Sequence, residues 1–150
     1  MSFAIACADP QALDSGTAPE AIDQLWWPAV SLQRARQVMR LNGTVTNDRL
    51  LEALQNAAYS VNDELQAWSE AQRQAHPDGL PKGRLTNLYL RAVHFYAKAE
   101  LVERYRDFDA TGAGDRRADD HEGIPDEARR NMRWAISDIL GKPRATVEAL

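Results

Sequence analysis

Residues 46–71, TNDRLLEALQNAAYSVNDELQAWSEA, decide the fold, because their apolar residues recur at the spacing of one α-helix face. Thr46 is a good N-cap, and Asp48 in the first turn suits the positive end of the helix dipole. The stretch therefore predicts a long amphipathic helix that fades near Ala71. The apolar face consists of Leu50, Leu54, Ala58, Val61, Leu65 and Trp68.

Three further segments have helical periodicity. A short helix is predicted from the N-cap Ser31 to about Arg40, a third helix over 85–105 and a fourth over 125–140. Gly141 suits the left-handed residue just past the end of the fourth helix. No alternating β pattern stands out. The sequence predicts an all-α fold, a small bundle of one short and three longer helices.

The ends of the chain are expected to lie outside this bundle. We predict an extended N-terminal arm over 1–30, a helical domain over 31–140 and a C-terminal tail over 141–150. Trp26 and Trp27 lie in the arm. They either fold back onto the core of the chain or attach the arm to a neighbouring subunit, as buried aromatic residues do at interfaces.

Composition excludes several classes of protein. The 150 residues indicate one domain, and the net charge of −4 argues against a protein whose main task is to grip phosphate backbones. A single cysteine, Cys7, rules out an intrachain disulfide and a zinc site built from thiolates. No apolar run is long enough to cross a bilayer, so we expect no membrane association.

No arrangement of residues suggests catalysis. The loop that starts at Asp107 and Asp109 resembles the start of a calcium loop, but Ala118 takes the position of the essential bidentate glutamate. We expect no cofactor, no metal and no enzymatic activity. One alternative stays open, a small metal-dependent enzyme with its ion at Asp107, Asp109 and Asp115.

Arginines cluster on two predicted helices. They can pair with the many acidic residues, within or between subunits, or contact phosphates. The first interpretation is favoured by the acidic balance of the chain. The clusters are Arg34, Arg36 and Arg40 on the short helix and Arg129, Arg130 and Arg133 on the fourth, with Lys142 and Arg144 after it.

The segment from Glu103 to Arg144 resembles the GPL family, the head completion or head stabilisation proteins of contractile-tailed phages. A weaker match is Met39-Arg40-Leu41. The order and spacing of the motifs carry the resemblance, rather than any one of them. The matching motifs are Glu103-Arg104-Tyr105-Arg106, Asp109-Ala110, Gly114-Asp115-Arg116-Arg117-Ala118-Asp119, Met132-Arg133-Trp134-Ala135 and Gly141-Lys142-Pro143-Arg144.

The resemblance implies a head-tail connector adaptor. Such a protein binds the portal vertex after DNA packaging, stabilises the filled head and provides the attachment site for neck or tail-terminator proteins. Identical subunits would form a dodecameric ring through which packaged DNA passes without specific binding. The protein would be found in the virion neck, and in the host cytoplasm during assembly.

Two sets of contact residues follow as expectations. The tail would bind the portal, and the aromatic pair and the charged loop would meet another subunit or a neck protein. The alternative function is a helical DNA-binding packaging protein, similar to a small terminase subunit. The portal-binding residues are Gly141, Lys142, Pro143, Arg144, Val147 and Leu150; the interface residues are Trp26, Trp27, Asp107, Asp109, Asp115, Arg116, Arg117 and Asp119.

Overall fold

The computed structural model describes residues 20–41, 45–108 and 124–144, and these segments are mostly helical. The all-α prediction is therefore confirmed. The described part contains a two-stranded antiparallel sheet, β1 (Ala21–Ile22) with β2 (Val30–Ser31). Its five helices are α1 (Leu32–Val38), α2 (Asn47–Glu64), α3 (Gln66–Ala75), α4 (Arg84–Phe108) and α5 (Ile124–Leu140).

Both predicted N-caps are confirmed. The Ser31 hydroxyl accepts a hydrogen bond from the Arg34 backbone N–H at 3.2 Å, at the start of α1. The Thr46 hydroxyl accepts one from the Arg49 N–H at 3.3 Å, at the start of α2. Each bond satisfies a donor that has no partner within the helix, which explains where these helices begin.

The helix predicted from the opening stretch is divided at Leu65. This residue has φ −96° and ψ 7°, outside the α-helical range, and it separates α2 from α3. Leu65 itself is fully buried, so the apolar face runs on across the break. Neither Pro nor Gly occurs there, which is why an apolar repeat alone predicted one helix instead of two.

Helix α4 is the centre of the molecule. It packs against α2 and against α5, whereas α2 and α5 share few direct contacts, so they lie on different sides of α4. Since α4 and α5 are long, their apolar faces supply much of the core. The core residues include Leu50, Leu54 and Val61 of α2, Tyr89, Val93 and Ala97 of α4, and Met132, Ile136 and Ile139 of α5.

Residues 20–30, which the sequence assigned to the arm, lie against the helices. The Leu80 N–H donates to the Trp26 carbonyl at 3.0 Å, and the Leu32 N–H donates to the Glu20 carbonyl at 3.0 Å. We call these residues the N-terminal segment. None of the helices in the described residues combines the length and the apolar character that a membrane span requires.

Candidate assembly surfaces

The C-terminal end of α5 closes with two characteristic hydrogen bonds. The Lys142 N–H donates to the Ser137 carbonyl at 2.9 Å, and the Gly141 N–H donates to the Asp138 carbonyl at 3.3 Å. Gly141 has φ 67°, the left-handed conformation that a residue without Cβ adopts at little cost. The prediction for Gly141 is confirmed, and the chain turns away from the helix axis at this point.

Arg144 holds residues 141–144, the C-terminal segment, against α5. Its Nη2 and Nε donate to the two carboxylate oxygens of Asp138 at 2.9 and 3.3 Å. Its guanidinium also lies 5.0 Å from the ring centroid of half-buried Trp134, and the Arg130 guanidinium lies 5.1 Å from the same centroid. The hydrogen bond from Arg144 lowers the pKa of Asp138, so the carboxylate is charged at neutral pH.

The expected portal-binding residues are only partly described. Gly141, Lys142, Pro143 and Arg144 are all exposed, but Arg144 is also engaged by Asp138. Val147 and Leu150 lie outside the described residues. The structure thus places the first four residues on an accessible surface beside Trp134.

Trp26 and Trp27 are part of the core of this chain. Only 5% and 8% of their surfaces are exposed. The Trp26 indole N–H donates to the His76 carbonyl at 2.8 Å, and the Trp27 ring stacks on Tyr89 with centroids 4.6 Å apart. This burial favours the first of the two interpretations, in which the pair folds back onto the chain.

A partly buried polar network fixes the N-terminal segment on α2 and α4. The Tyr89 hydroxyl donates to the Asn62 side-chain oxygen Oδ1 at 2.7 Å, and the Asn62 side-chain amide donates to the Gln24 side-chain oxygen at 3.0 Å. The Gln24 amide donates to the Pro28 carbonyl at 2.8 Å and contacts the Tyr89 hydroxyl at 3.1 Å. Burial raises the pKa of Tyr89 to about 12, so the phenol stays protonated. Sequence reasoning did not find this network.

The arginines of α1 and of the turn that follows it have different environments. Arg36 donates to the Val45 carbonyl at 2.8 Å and to the Asn47 side-chain oxygen at 2.6 Å, so it joins α1 to the start of α2 through neutral acceptors. Arg36 has no acidic partner among the described residues. Arg34 and Arg40 are exposed and form no ion pair with any described residue.

The arginines of α5 also differ in whether they form ion pairs. Arg129 forms ion pairs with Glu103 of α4 and, at 4.0 Å, with Asp126, as the sequence predicted. Arg133 is exposed and has no ion-pair partner among residues 20–41, 45–108 and 124–144. The outer surface of α5 therefore keeps a positive charge that is not neutralised within the described chain.

Arg40 has an uncommon backbone conformation. Its φ of 53° is left-handed, which costs a residue with a Cβ more than it costs glycine. The Arg40 N–H donates to the Gln37 carbonyl at 3.3 Å and the Leu41 N–H to the Arg36 carbonyl at 3.2 Å, the bond pattern seen at the end of α5. The same turn thus contains arginine after α1 and glycine after α5.

The predicted charged loop before α5 lies largely outside the described residues. Its predicted interface residues lie outside the described part of the chain: the side chain of Asp107 and all of Asp109, Asp115, Arg116, Arg117 and Asp119. The alternative metal site at Asp107, Asp109 and Asp115 lies there too. Among the residues that the structure describes, no group of three potential metal ligands comes together.

Comparison with known proteins identifies the family of this chain. The profile of the phage head completion protein (GPL) family matches residues 22–150. The chain belongs to this family. It is 34% identical over 145 residues to the head completion/stabilization protein of Escherichia phage P2, covering 91% of this chain and 86% of that protein.

Family membership fixes the broad role of the chain. Head completion is a structural role in the phage, not a class of enzymatic reaction, and it implies association with the virion. No solved structure gives a significant match.

Proposed function

We propose that this protein binds the portal vertex after DNA packaging, stabilises the filled head and provides the attachment site for neck or tail proteins. The observation that carries the proposal is the family match over residues 22–150, which spans the whole helical body and the C-terminal segment. The relative in Escherichia phage P2 is named a head completion/stabilization protein. Sealing a head requires contact with its exit vertex, which supports the portal as the partner.

The C-terminal segment supports a portal-binding role for the tail. Gly141 turns the chain away from α5, and the pairing of Arg144 with Asp138 sets the point from which residues 145–150 continue. Lys142 and Pro143 are exposed next to this point. We propose that residues 141–150 dock on the portal, with Val147 and Leu150 as apolar contacts.

We further propose that identical subunits assemble as a dodecameric ring at the portal and that DNA passes through without specific binding. The net charge of −4 supports the absence of specific DNA binding, because binding of phosphate backbones depends on clustered Lys and Arg. Residues 107–122 would face an adjacent subunit or the next neck protein.

The direct test mixes the purified chain with its cognate portal ring and measures mass after size separation. We expect a stoichiometric complex with the full chain and none after deletion of residues 145–150. The circular dichroism spectra of the full and the shortened chain should be the same. Failure of the full chain to bind the portal, together with salt-sensitive binding to duplex DNA, would favour the helical packaging protein instead.

A second test addresses the role in the head itself. DNA-filled heads assembled without this protein should lose DNA or expose it to nuclease, and addition of the full chain should protect it. Addition of the chain lacking residues 145–150 should not protect. Equal protection by both chains would show that the tail is not the docking element.

A further inference from the structure

Basic residues collect where the start of α4 meets the end of α5. Residues 82–95 contain three basic residues and no acidic one, and residues 130–140 contain two arginines and one aspartate. We call the exposed surface of these two ranges the basic end. Its positive charge contrasts with the net charge of −4 of the whole chain. Its basic residues are Lys82, Arg84, Arg91, Arg130 and Arg133, and all five are exposed.

The two ranges of the basic end lie side by side. Helix α4 packs against α5, and Arg84 and Arg91 of α4 lie close enough to Asp138 of α5 to act on its charge. The hydrogen bond from Arg144 is the main cause that lowers the pKa of Asp138, and the charges of Arg84 and Arg91 lower it further. The Asp138 side chain is only 17% exposed and is already paired with Arg144. The one carboxylate in these two ranges therefore does not neutralise the basic end.

The fold does not require cations at this place. Arg84, Arg91 and Arg133 form no ion pair with any residue in the described ranges. Arg84 is the first residue of α4, where the positive end of the helix dipole disfavours a cation. Like charges on one surface also repel each other, so the arrangement destabilises the free chain. A partner that supplies carboxylates would relieve this repulsion.

Two aromatic rings support arginines of the basic end. The Arg91 guanidinium lies 5.4 Å from the ring centroid of Phe95, and the Arg130 guanidinium lies 5.1 Å from that of Trp134. Both rings are partly buried, so each holds its arginine against the helical body. Tryptophan and arginine are enriched at the energetic centres of protein–protein interfaces. The basic end thus presents arginines that lose less freedom when they bind a carboxylate.

A protein partner fits the basic end better than duplex DNA does. The rest of the chain is acidic and repels phosphates, and the Asp138 carboxylate lies within the basic end itself. The C-terminal segment continues directly from residue 140 and starts the tail for which portal docking is proposed. A portal that holds this tail lies beside the basic end.

We propose that the basic end is a second docking surface for the portal protein and that it binds an acidic surface there, through Arg84, Arg91 and Arg130. Complementary charges select such a partner and speed its association. The tail would supply apolar contacts and the basic end would fix the orientation of the helical body. This inference rests on the proposed function, and it adds the residues outside the tail and the chemistry of the portal surface that they bind.

Charge reversal on α4 tests the surface with the tail left intact. The full chain is titrated onto its cognate portal ring at about 50 mM salt, where exposed charges are weakly screened, and again at about 300 mM salt. Arg84→Glu with Arg91→Glu should weaken binding at least about tenfold at the lower salt, because like charges then face each other. The variant should also lose most of the salt dependence that the wild-type chain shows.

Two matched variants separate charge at this surface from other effects. Arg84→Lys with Arg91→Lys keeps the charge and should keep most of the binding and its salt dependence. Arg40→Glu reverses an exposed arginine that also lacks an ion pair among the described residues but follows α1, outside the basic end, and it should leave binding unchanged. Circular dichroism should confirm that every variant is folded.

The outcomes distinguish this inference from the proposed function. A wild-type chain that does not bind the portal contradicts the proposed function and, with it, this inference. If the wild-type chain binds, then equal binding by Arg84→Glu with Arg91→Glu overturns this inference alone, as does an equal loss in the lysine variant or in Arg40→Glu. If the same reversal abolishes binding to duplex DNA and leaves portal binding intact, the basic end is a nucleic-acid surface and the inference is also overturned.

Discussion

The N-terminal and C-terminal segments flank the same helical body but are attached to it in different ways. Residues 20–30 place two tryptophans in the core and join a partly buried hydrogen-bond network. Residues 141–144 are exposed and are held by one carboxylate–guanidinium pair and by contact with Trp134. The first segment is therefore part of the fold, whereas the second is an accessible surface held by few contacts.

Removal of the Trp27 ring is the strongest test of whether the N-terminal segment is part of the fold. Trp27→Ala deletes a ring that stacks on Tyr89 inside the core, and we expect a loss of about 3–5 kcal/mol in the free energy of unfolding. Trp134→Ala, the matched change beside the C-terminal segment, should cost much less because that ring is only half buried. Urea denaturation measures both, and equal losses would remove the distinction between the segments.

Tyr89→Phe isolates the polar part of the N-terminal attachment. The change keeps the ring but removes the hydroxyl that donates to Asn62, leaving a partly buried acceptor without this partner. We expect a loss of about 1–3 kcal/mol in the free energy of unfolding by urea denaturation. Tyr59→Phe is the control, because that side chain is 64% exposed, and it should be neutral. A neutral Tyr89→Phe would mean that aromatic packing alone holds the segment.

Acid should weaken the body before it releases the C-terminal segment. Burial, with a smaller effect of the Arg34 charge, lowers the pKa of His94 to about 4. The unfolded chain binds this proton near pH 6.5, so stability should fall as the pH drops from 6.5 to 4, by about 2 kcal/mol at pH 5. The pKa of Asp138 is lowered by Arg144, so its pairing persists throughout this range.

The measurement for His94 is the urea midpoint at pH 7 and pH 5. His94→Gln removes the titrating group and should reduce the difference between the two midpoints, whatever its effect at pH 7. If the variant keeps the full difference, another group is responsible for the acid sensitivity of the body.

Sequence reasoning predicted the turn at Gly141 but not the contacts of the N-terminal segment, and the reason is physical. Caps and helix ends depend on neighbouring residues, so Ser31, Thr46 and Gly141 could be assigned from local chemistry. The network around Gln24 joins residues that are 65 positions apart in the sequence, and no sequence periodicity predicts such a contact. The two tryptophans left two interpretations open because a pattern of residue types does not say which surface will cover them.

The break at Leu65 and the sheet of β1 and β2 were missed for related reasons. An apolar stripe that continues across Leu65 contains no sign of a change in backbone angle. Two strands of two residues each are too short to show alternation. At the candidate surfaces, the sequence indicated the arginine clusters, but only the folded chain shows that Arg36 is engaged and that Arg133 stays unpaired.

The smallest expected effect on stability comes from Arg144→Ala. The ion pair of Arg144 with Asp138 lies at the surface, where such pairs contribute little to stability. The urea midpoint should therefore hardly change. Amide exchange is the informative measurement. The Gly141 and Lys142 amides, which close the turn after α5, should lose protection, while the Leu80 amide bonded to Trp26 keeps it.

This prediction separates positioning from stability. If the pairing with Asp138 sets where residues 145–150 begin, Arg144→Ala should weaken portal binding although the body is intact, and Asp138→Asn should have the same direction of effect with Arg144 still present. Unchanged exchange at Gly141 and Lys142 would mean that the glycine turn alone holds the C-terminal segment. The Arg144–Asp138 pair would then have no part in presenting the tail, and the contrast with the N-terminal segment would rest on burial alone.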